Sequence, residues 1–162
     1  MDREMLDILR NVCPATDREG VEDAVLRFVE GIDKADGELL ASAFTEDVVF
    51  EMLDASLDSS TPYEGRDVVV DRLMKRLGKL DSMHAITNVR VEVDGDRAHL
   101  TCYLIAQHHR PDQGPSVNFS GHLWLGNFLD TYLVRDGRHL WRVSHYYVHN
   151  SWATGSLAAI QL

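Results

Sequence analysis

Residues 19–34 carry apolar side chains at Val21, Ala24, Val25, Phe28, Val29 and Ile32. That spacing of i, i+3, i+4, i+7, i+8 and i+11 is the stripe of an amphipathic helix. Asp33 falls at the flank of the stripe, near its C-terminal end. A short helix with Leu39, Leu40, Ala43 and Phe44 follows, and residues 47–52, DVVFEM, read as a strand. Residues 53–64 are polar and long enough for a flap. Val69, Leu73, Met74 and Leu77 then mark a third amphipathic helix, which Gly78 ends. Ahead of all these, residues 1–12 put Met5, Leu6, Ile8 and Leu9 on a short helix, broken by the Cys13-Pro14 stretch. Thr16 or Asp17 caps the next helix, although Asp17 and Gly20 do not make a capping box.

After Gly78 the period changes from 3.6 to two. Residues 84–93 end in the alternation Val89, Val91, Val93, and Asp94-Gly95 is a two-residue hairpin signal. The partner strand covers residues 98–109. A polar loop leads to a long strand at about 119–134, Asp136-Gly137 marks a second hairpin, and residues 140–149 form the last strand. Helices first and an antiparallel meander last predict an α+β domain. No repeat or linker divides the chain, so residues 1–162 read as one domain with its core at about 19–152. A curved sheet over three helices leaves a deep pocket between the layers, and such pockets are apolar with a few convergent polar groups.

Composition changes this picture only by exclusion. The 162 residues hold 26 acids and 16 bases, a formal charge of −10, which disfavours nucleic acid and anionic membranes as partners. Two cysteines, Cys13 and Cys102, read as free thiols in a reducing compartment. The N-terminus has no run of signal-peptide type, and nothing approaches the ~20 apolar residues of a membrane span. A cytoplasmic enzyme or binding module is the expectation.

The candidate chemistry lies in Asp33, His84 and His108, far apart in sequence. A carboxylate at a helix C-terminus opposes the helix dipole, so Asp33 calls for a partner or water. Leu100, Cys102, Leu104 and Ala106 share one strand face, which His108 continues inward while His109 turns outward. Histidine takes and gives protons near neutrality. Each residue alone also reads as an ordinary surface or turn residue. A metal site is the rival use: His145 and His149 share a face, but neither HxxxH on a helix nor HExxH occurs. The expectation is no metal and no cofactor. The GxSxG elbow, P-loop and dinucleotide fingerprint are absent, which disfavours covalent hydrolysis and nucleotide chemistry. Trp141, Tyr146, Tyr147 and Trp152 read as core or subunit interface.

The segments FVEGIDKADGELLASAFTEDVVF, TPYEGRDVVVDRL, MHAITNVRVEVDGDRAHLTCYLIAQHH and GNFLDTYLVRDGRHLWRV, taken in order, resemble the SnoaL-like polyketide cyclases and scytalone dehydratase. Both belong to the nuclear transport factor 2-like superfamily with ketosteroid isomerase, and the resemblance covers about residues 19–152. It implies a cone-shaped curved antiparallel sheet packed on three N-terminal helices, the cystatin-like α+β barrel. It places the dehydratase's aspartate on Asp33 and its two histidines on His84 and His108. In that enzyme the aspartate orients the first histidine, and the histidines manage proton removal and departure of a hydroxyl. Its two carbonyl-polarising tyrosines fall on Ile32 and Met52, and its later asparagine falls near Phe128. Scytalone is therefore not the expected substrate.

The carbonyl-polarising role is left vacant or open to Tyr63, Tyr103, Asn118 or Asp130. Asp130 matches an aspartate of the wider group within Gly126, Phe128 and Asp130, and a desolvated carboxyl there would donate to an oxyanion. Pairing with a nearby Arg is the alternative use of Asp130. Phe28, Met52, Leu104 and Phe128 are the candidate apolar lining. The expected function is a cofactor-independent lyase or isomerase, dehydratase-, ketosteroid isomerase- or polyketide cyclase-like, on a small hydrophobic hydroxy-carbonyl compound. His84 is the base and His108, across the cavity, protonates the leaving hydroxyl or returns the proton elsewhere in an isomerisation. The rivals are a non-catalytic binding module, a structural subunit like the small subunit of ring-hydroxylating dioxygenases, and an epoxide hydrolase- or monooxygenase-like relative. Relatives pair through the outer sheet face, which implies a homodimer or homotrimer.

Overall fold

A computed structural model describes residues 16–53, 62–115, 121–137 and 140–159. The predicted N-terminal helix, Cys13, most of the flap and Asn118 lie outside the described residues. Helix α1 (Asp17–Asp33) starts on Thr16, whose Oγ1 accepts from the Glu19 backbone N–H at 3.2 Å while the Glu19 carboxylate accepts from the Thr16 N–H at 2.9 Å. This is a reciprocal capping box, T-D-R-E, one residue earlier than the Asp17 register weighed above. Helix α2 (Gly37–Ser42) is capped by Asp36, and α3 (Arg66–Leu77) ends at Gly78.

Six strands form one sheet: β1 (Phe44–Leu53), β2 (Tyr63–Glu64), β3 (Asp81–Asp94), β4 (Arg97–His109), β5 (His122–Arg135) and β6 (Trp141–Gly155). Their order is β2-β1-β6-β5-β4-β3. The meander β3 to β6 is antiparallel as expected, and Asp94 pairs with Arg97 across a two-residue turn where Gly95 takes φ +58. β1 runs parallel to β6, a pairing that local periodicity does not announce. The sheet curves over the helices without closing.

The stripe of α1 is the centre of the core. Val21, Val25, Phe28 and Ile32 are buried against Leu40, Phe44, Phe50, Val69, Leu100, Leu104 and Leu129. Each such side chain contributes roughly 1.5–3 kcal/mol by leaving water. Buried Arg27 ties the layers together, its guanidinium donating to Asp23, to Ser42 and to the Trp141 carbonyl at 2.7 Å. α1 and α2 touch at Gly31, where a Cβ would lie 2.6 Å from the Leu40 backbone nitrogen. That close approach aims the C-terminal end of α1 at β3.

Candidate active site

Asp33 ends α1 and reaches across to β3. Its Oδ2 accepts the His84 backbone N–H at 2.9 Å, and its Oδ1 meets His84 Nδ1 at 2.5 Å. The partner that the helix dipole demanded is therefore the His84 residue itself. The two donors fix the His84 strand position and its ring together. A carboxylate only accepts, so in the neutral ring the proton sits on Nδ1 and Nε2 carries the free lone pair. The His84 side chain is 4% exposed, so its ring sits in a nearly dry setting.

His108 stands beside His84, not across the cavity from it. β3 pairs with β4 so that Ser82 opposes His108 and His84 opposes Ala106. The two imidazoles are thus diagonal neighbours on one sheet face, with centroids 5.2 Å apart and planes at 68°. Ser82 Oγ lies 2.9 Å from His108 Nδ1. His108 is 3% exposed, and burial pushes its pKa down to about 3, helped by His84 and Arg76 and opposed by Asp33. His108 is therefore neutral near pH 7. A neutral ring does not start with the extra proton that the expected donation to a leaving hydroxyl would use. It can serve as a neutral hydrogen-bond partner whose ring orientation Ser82 holds.

Both rings open on a cavity of about 570 Å³, its mouth included. Phe28 and Ile32 of α1, Met52 of β1, Leu73 of α3 and Leu104 of β4 line it. The polar side chains beside the histidines are three that the sequence reading did not choose: Arg76, Asn127 and Tyr146. Asn127 is buried, and its Oδ1 accepts from Asn150 Nδ2 at 3.1 Å, which leaves its own amide N–H groups free to donate. Tyr146 stacks on Phe50, with centroids 4.4 Å apart. Burial holds its phenol well above the usual range, so it stays protonated.

The other expected residues divide. Phe28, Met52 and Leu104 line the cavity as expected. Phe128 and Asp130 do not. The inner face of β5 is Leu123, Leu125, Asn127, Leu129 and Thr131, so the even positions face out. Phe128 meets exposed Tyr103 edge-on at 5.8 Å. Asp130 accepts from His99 Nε2 at 2.7 Å on the same outer face, so it is not an oxyanion donor in the cavity, and its partner is a histidine, not the arginine weighed above. Tyr63 sits just outside the cavity, its ring under Arg72 at 5.3 Å. Asn127, next to Phe128, is the asparagine on the inner face of β5. His145 pairs with Glu51 at 3.0 Å, and among the described residues no three His, Cys, Asp or Glu side chains gather as a metal site. Cys102 is a buried free thiol, and no described helix is long and apolar enough to cross a membrane.

Compared with known proteins, residues 14–147 match the family model of the SnoaL-like domain. The chain belongs to the SnoaL-like family. Among curated relatives, the SnoaL-like chain is 32% identical over 147 residues to terrestric acid biosynthesis cluster protein E of Penicillium crustosum, covering 88% of each. Its fold is shared with a Novosphingobium aromaticivorans protein provisionally named scytalone dehydratase, at TM-score 0.70, 17% identity and coverage of 86% and 87%. It is shared too with hexachlorocyclohexane dehydrochlorinase LinA-type3 from Novosphingobium barchaimii, at TM-score 0.69, 18% identity and 94% coverage of both. These two neighbours are named as a dehydratase and a dehydrochlorinase, and at under 20% identity what they share with the chain is the fold.

Proposed function

We propose that this SnoaL-like protein is an acid–base lyase or isomerase acting, without a cofactor, on a small hydrophobic hydroxy-carbonyl compound. The observation that carries the reading is the Asp33–His84 pair, with His108 beside it, on the wall of a nearly apolar cavity. In the proposed reaction, His84 Nε2 takes the proton from the carbon next to the carbonyl. The electron pair of that C–H bond becomes the enolate, whose oxygen would accept from the Asn127 amide and the Tyr146 hydroxyl, two donors that line the cavity. The enolate collapses to a C=C bond as the β-hydroxyl departs. The His84 imidazolium, paired with Asp33, gives its proton to that hydroxyl and water leaves. Delivery to another carbon instead gives isomerisation. Neutral His108 steadies the departing oxygen by a hydrogen bond.

A positioned base of this kind contributes roughly 10²–10⁴-fold, and donors in a dry site add to it without reorganising. A relative named for a biosynthesis cluster fits small-molecule chemistry of this class. The test is a panel of hydrophobic β-hydroxy ketones, followed by the ultraviolet band of the conjugated enone. At least one compound should lose water in a His84-dependent manner, with His84→Gln slower by roughly 10²–10⁴-fold. Compounds that bind but never react, in any member of the panel, would favour the non-catalytic binding module.

A further inference from the structure

The cavity mouth carries a charge that the acid–base scheme does not use. Helix α3 holds four cations, Arg66, Arg72, Lys75 and Arg76, with Lys79 just beyond its end. Arg66 lies 3.8 Å from both Glu46 and Asp67, Lys75 Nζ is 2.7 Å from Asp71, and Arg72 lies over Tyr63. Arg76 differs from these three. It is half-buried, it lines the cavity, and among the described residues no hydrogen bond or ion pair holds its guanidinium. It also lines the neighbouring groove formed with Met52, Tyr63, Asp71, Arg72, Leu73 and Lys75, where Asp71 is taken up by Lys75, so it stands where that groove and the cavity meet.

The helix dipole favours a cation in the last turn of α3, but Lys75 already meets that need from the solvent side. A dipole does not require the next residue to line an apolar cavity. A guanidinium partly withdrawn from water without a counter-charge is costly, and it is rarely left so without use. The protein as a whole carries −10, so acids to neutralise Arg76 are abundant in the sequence. The planar fork of arginine is suited to two oxygens of one delocalised anion.

We propose that the substrate carries a delocalised oxyanion, a carboxylate or the enolate of an acidic 1,3-dicarbonyl, which Arg76 grips at the cavity mouth while the apolar part fills the interior. The inference deepens the reading of this cavity as an active site and rests on it for location. It assigns Arg76 a binding role and the substrate class an acid. An anion anchored there sets which carbon faces His84, because only one end of the molecule can reach the guanidinium.

The test uses matched pairs: 4-phenylbutanoate against its amide, and 5-phenylcyclohexane-1,3-dione against its enol methyl ether. Affinities are measured by calorimetry at low salt for the full chain and for Arg76→Gln, Arg76→Lys and His84→Gln. The wild type should bind the anionic member of at least one pair about 10-fold or more tightly than its neutral partner, as a charged hydrogen bond warrants. The pair that shows the preference tells carboxylate from enolate. Arg76→Gln should erase the preference, Arg76→Lys should keep part of it, and His84→Gln should keep all of it. Equal affinities within both pairs in the wild type, or a preference that survives Arg76→Gln, overturn the assignment. An anion preference without turnover of any compound leaves Arg76 standing and removes the acid–base reading. Turnover of neutral compounds with no anion preference does the reverse.

Discussion

Neutral His108 should make the protein lose stability in mild acid, and the loss can be calculated. In the unfolded chain a histidine titrates near 6.5. In the folded protein burial and the neighbouring His84 bring His108 down to about 3. Between these values the unfolded chain binds a proton that the folded chain refuses. Stability therefore rises with pH in that window, by about 1.36 kcal/mol per unit. The contribution is fully present above 6.5 and is lost progressively as the pH falls toward 3. From the upper edge of the window down to pH 5 the loss is about 2 kcal/mol, the product of roughly 1.5 units and that slope.

His108→Gln keeps a polar group next to Ser82 and has nothing to titrate. Urea unfolding of both proteins at several pH values between 7.5 and 5 isolates the effect, because the other titrating groups are common to both. The wild type should lose about 2 kcal/mol more than the variant over that range. Any constant offset from repacking drops out of the comparison. Parallel curves, within about 0.5 kcal/mol, would mean that His108 accepts its proton in the folded protein.

Asp33→Asn replaces an acceptor with an amide that can face His84 Nδ1 with a donor. The ring would then carry its proton on Nε2 and lose its basic lone pair, so kcat should fall by roughly 10²–10⁴-fold with KM little changed. Steady-state kinetics on any compound the protein turns over checks this. Gly31→Ala drives a methyl to 2.6 Å from the Leu40 backbone nitrogen, and urea unfolding should show a loss of about 1–3 kcal/mol. The Cys102 thiol, pushed up to about 12 by burial, should resist alkylation at pH 8 until the chain unfolds; peptide mapping by mass separates it from Cys13.

The sequence made some of these features readable and concealed others, for physical reasons. The stripe from Val21 to Ile32 announced α1 because a buried helix face must repeat every 3.6 residues. Asp94-Gly95 announced the hairpin because its turn needs a positive φ. The inward face of β4, from Leu100 to His108, followed from strict alternation, and it aimed His108 correctly. β5 was harder to read, because both of its faces carry large apolar or aromatic side chains. Phe128 on one face competes with Leu125 and Leu129 on the other. A one-residue change of parity exchanges Phe128 and Asp130 for Asn127. The run of leucines at 123, 125, 129 and 133 was the signal that could have chosen the inner face.

β6 hid Tyr146 in a different way. The β5–β6 register slips between Tyr132 and Leu133, so Trp141 and Val143 point inward and then Tyr146 and Val148 do. Alternation counted from Trp141 would turn Tyr146 outward. Arg76 gave no local sign, since a cation in the last turn of a helix is ordinary. Only the assembled cavity shows that this one lacks a counter-charge. The relation between His84 and His108 was likewise a matter of register. Two residues on one sheet face can stand opposite or side by side, and the pairing of Ser82 with His108 decides it.

The central claim is that His84, fixed by Asp33, removes a proton from carbon. Solvent deuterium incorporation next to the carbonyl of a bound hydrophobic ketone, followed by proton NMR in D₂O, reports that step without requiring full turnover. The wild-type protein should wash in deuterium at that carbon, and His84→Gln should slow the exchange by roughly 10²–10⁴-fold. Exchange at an equal rate in both proteins, or none in the wild type with the ketone bound, would contradict the claim.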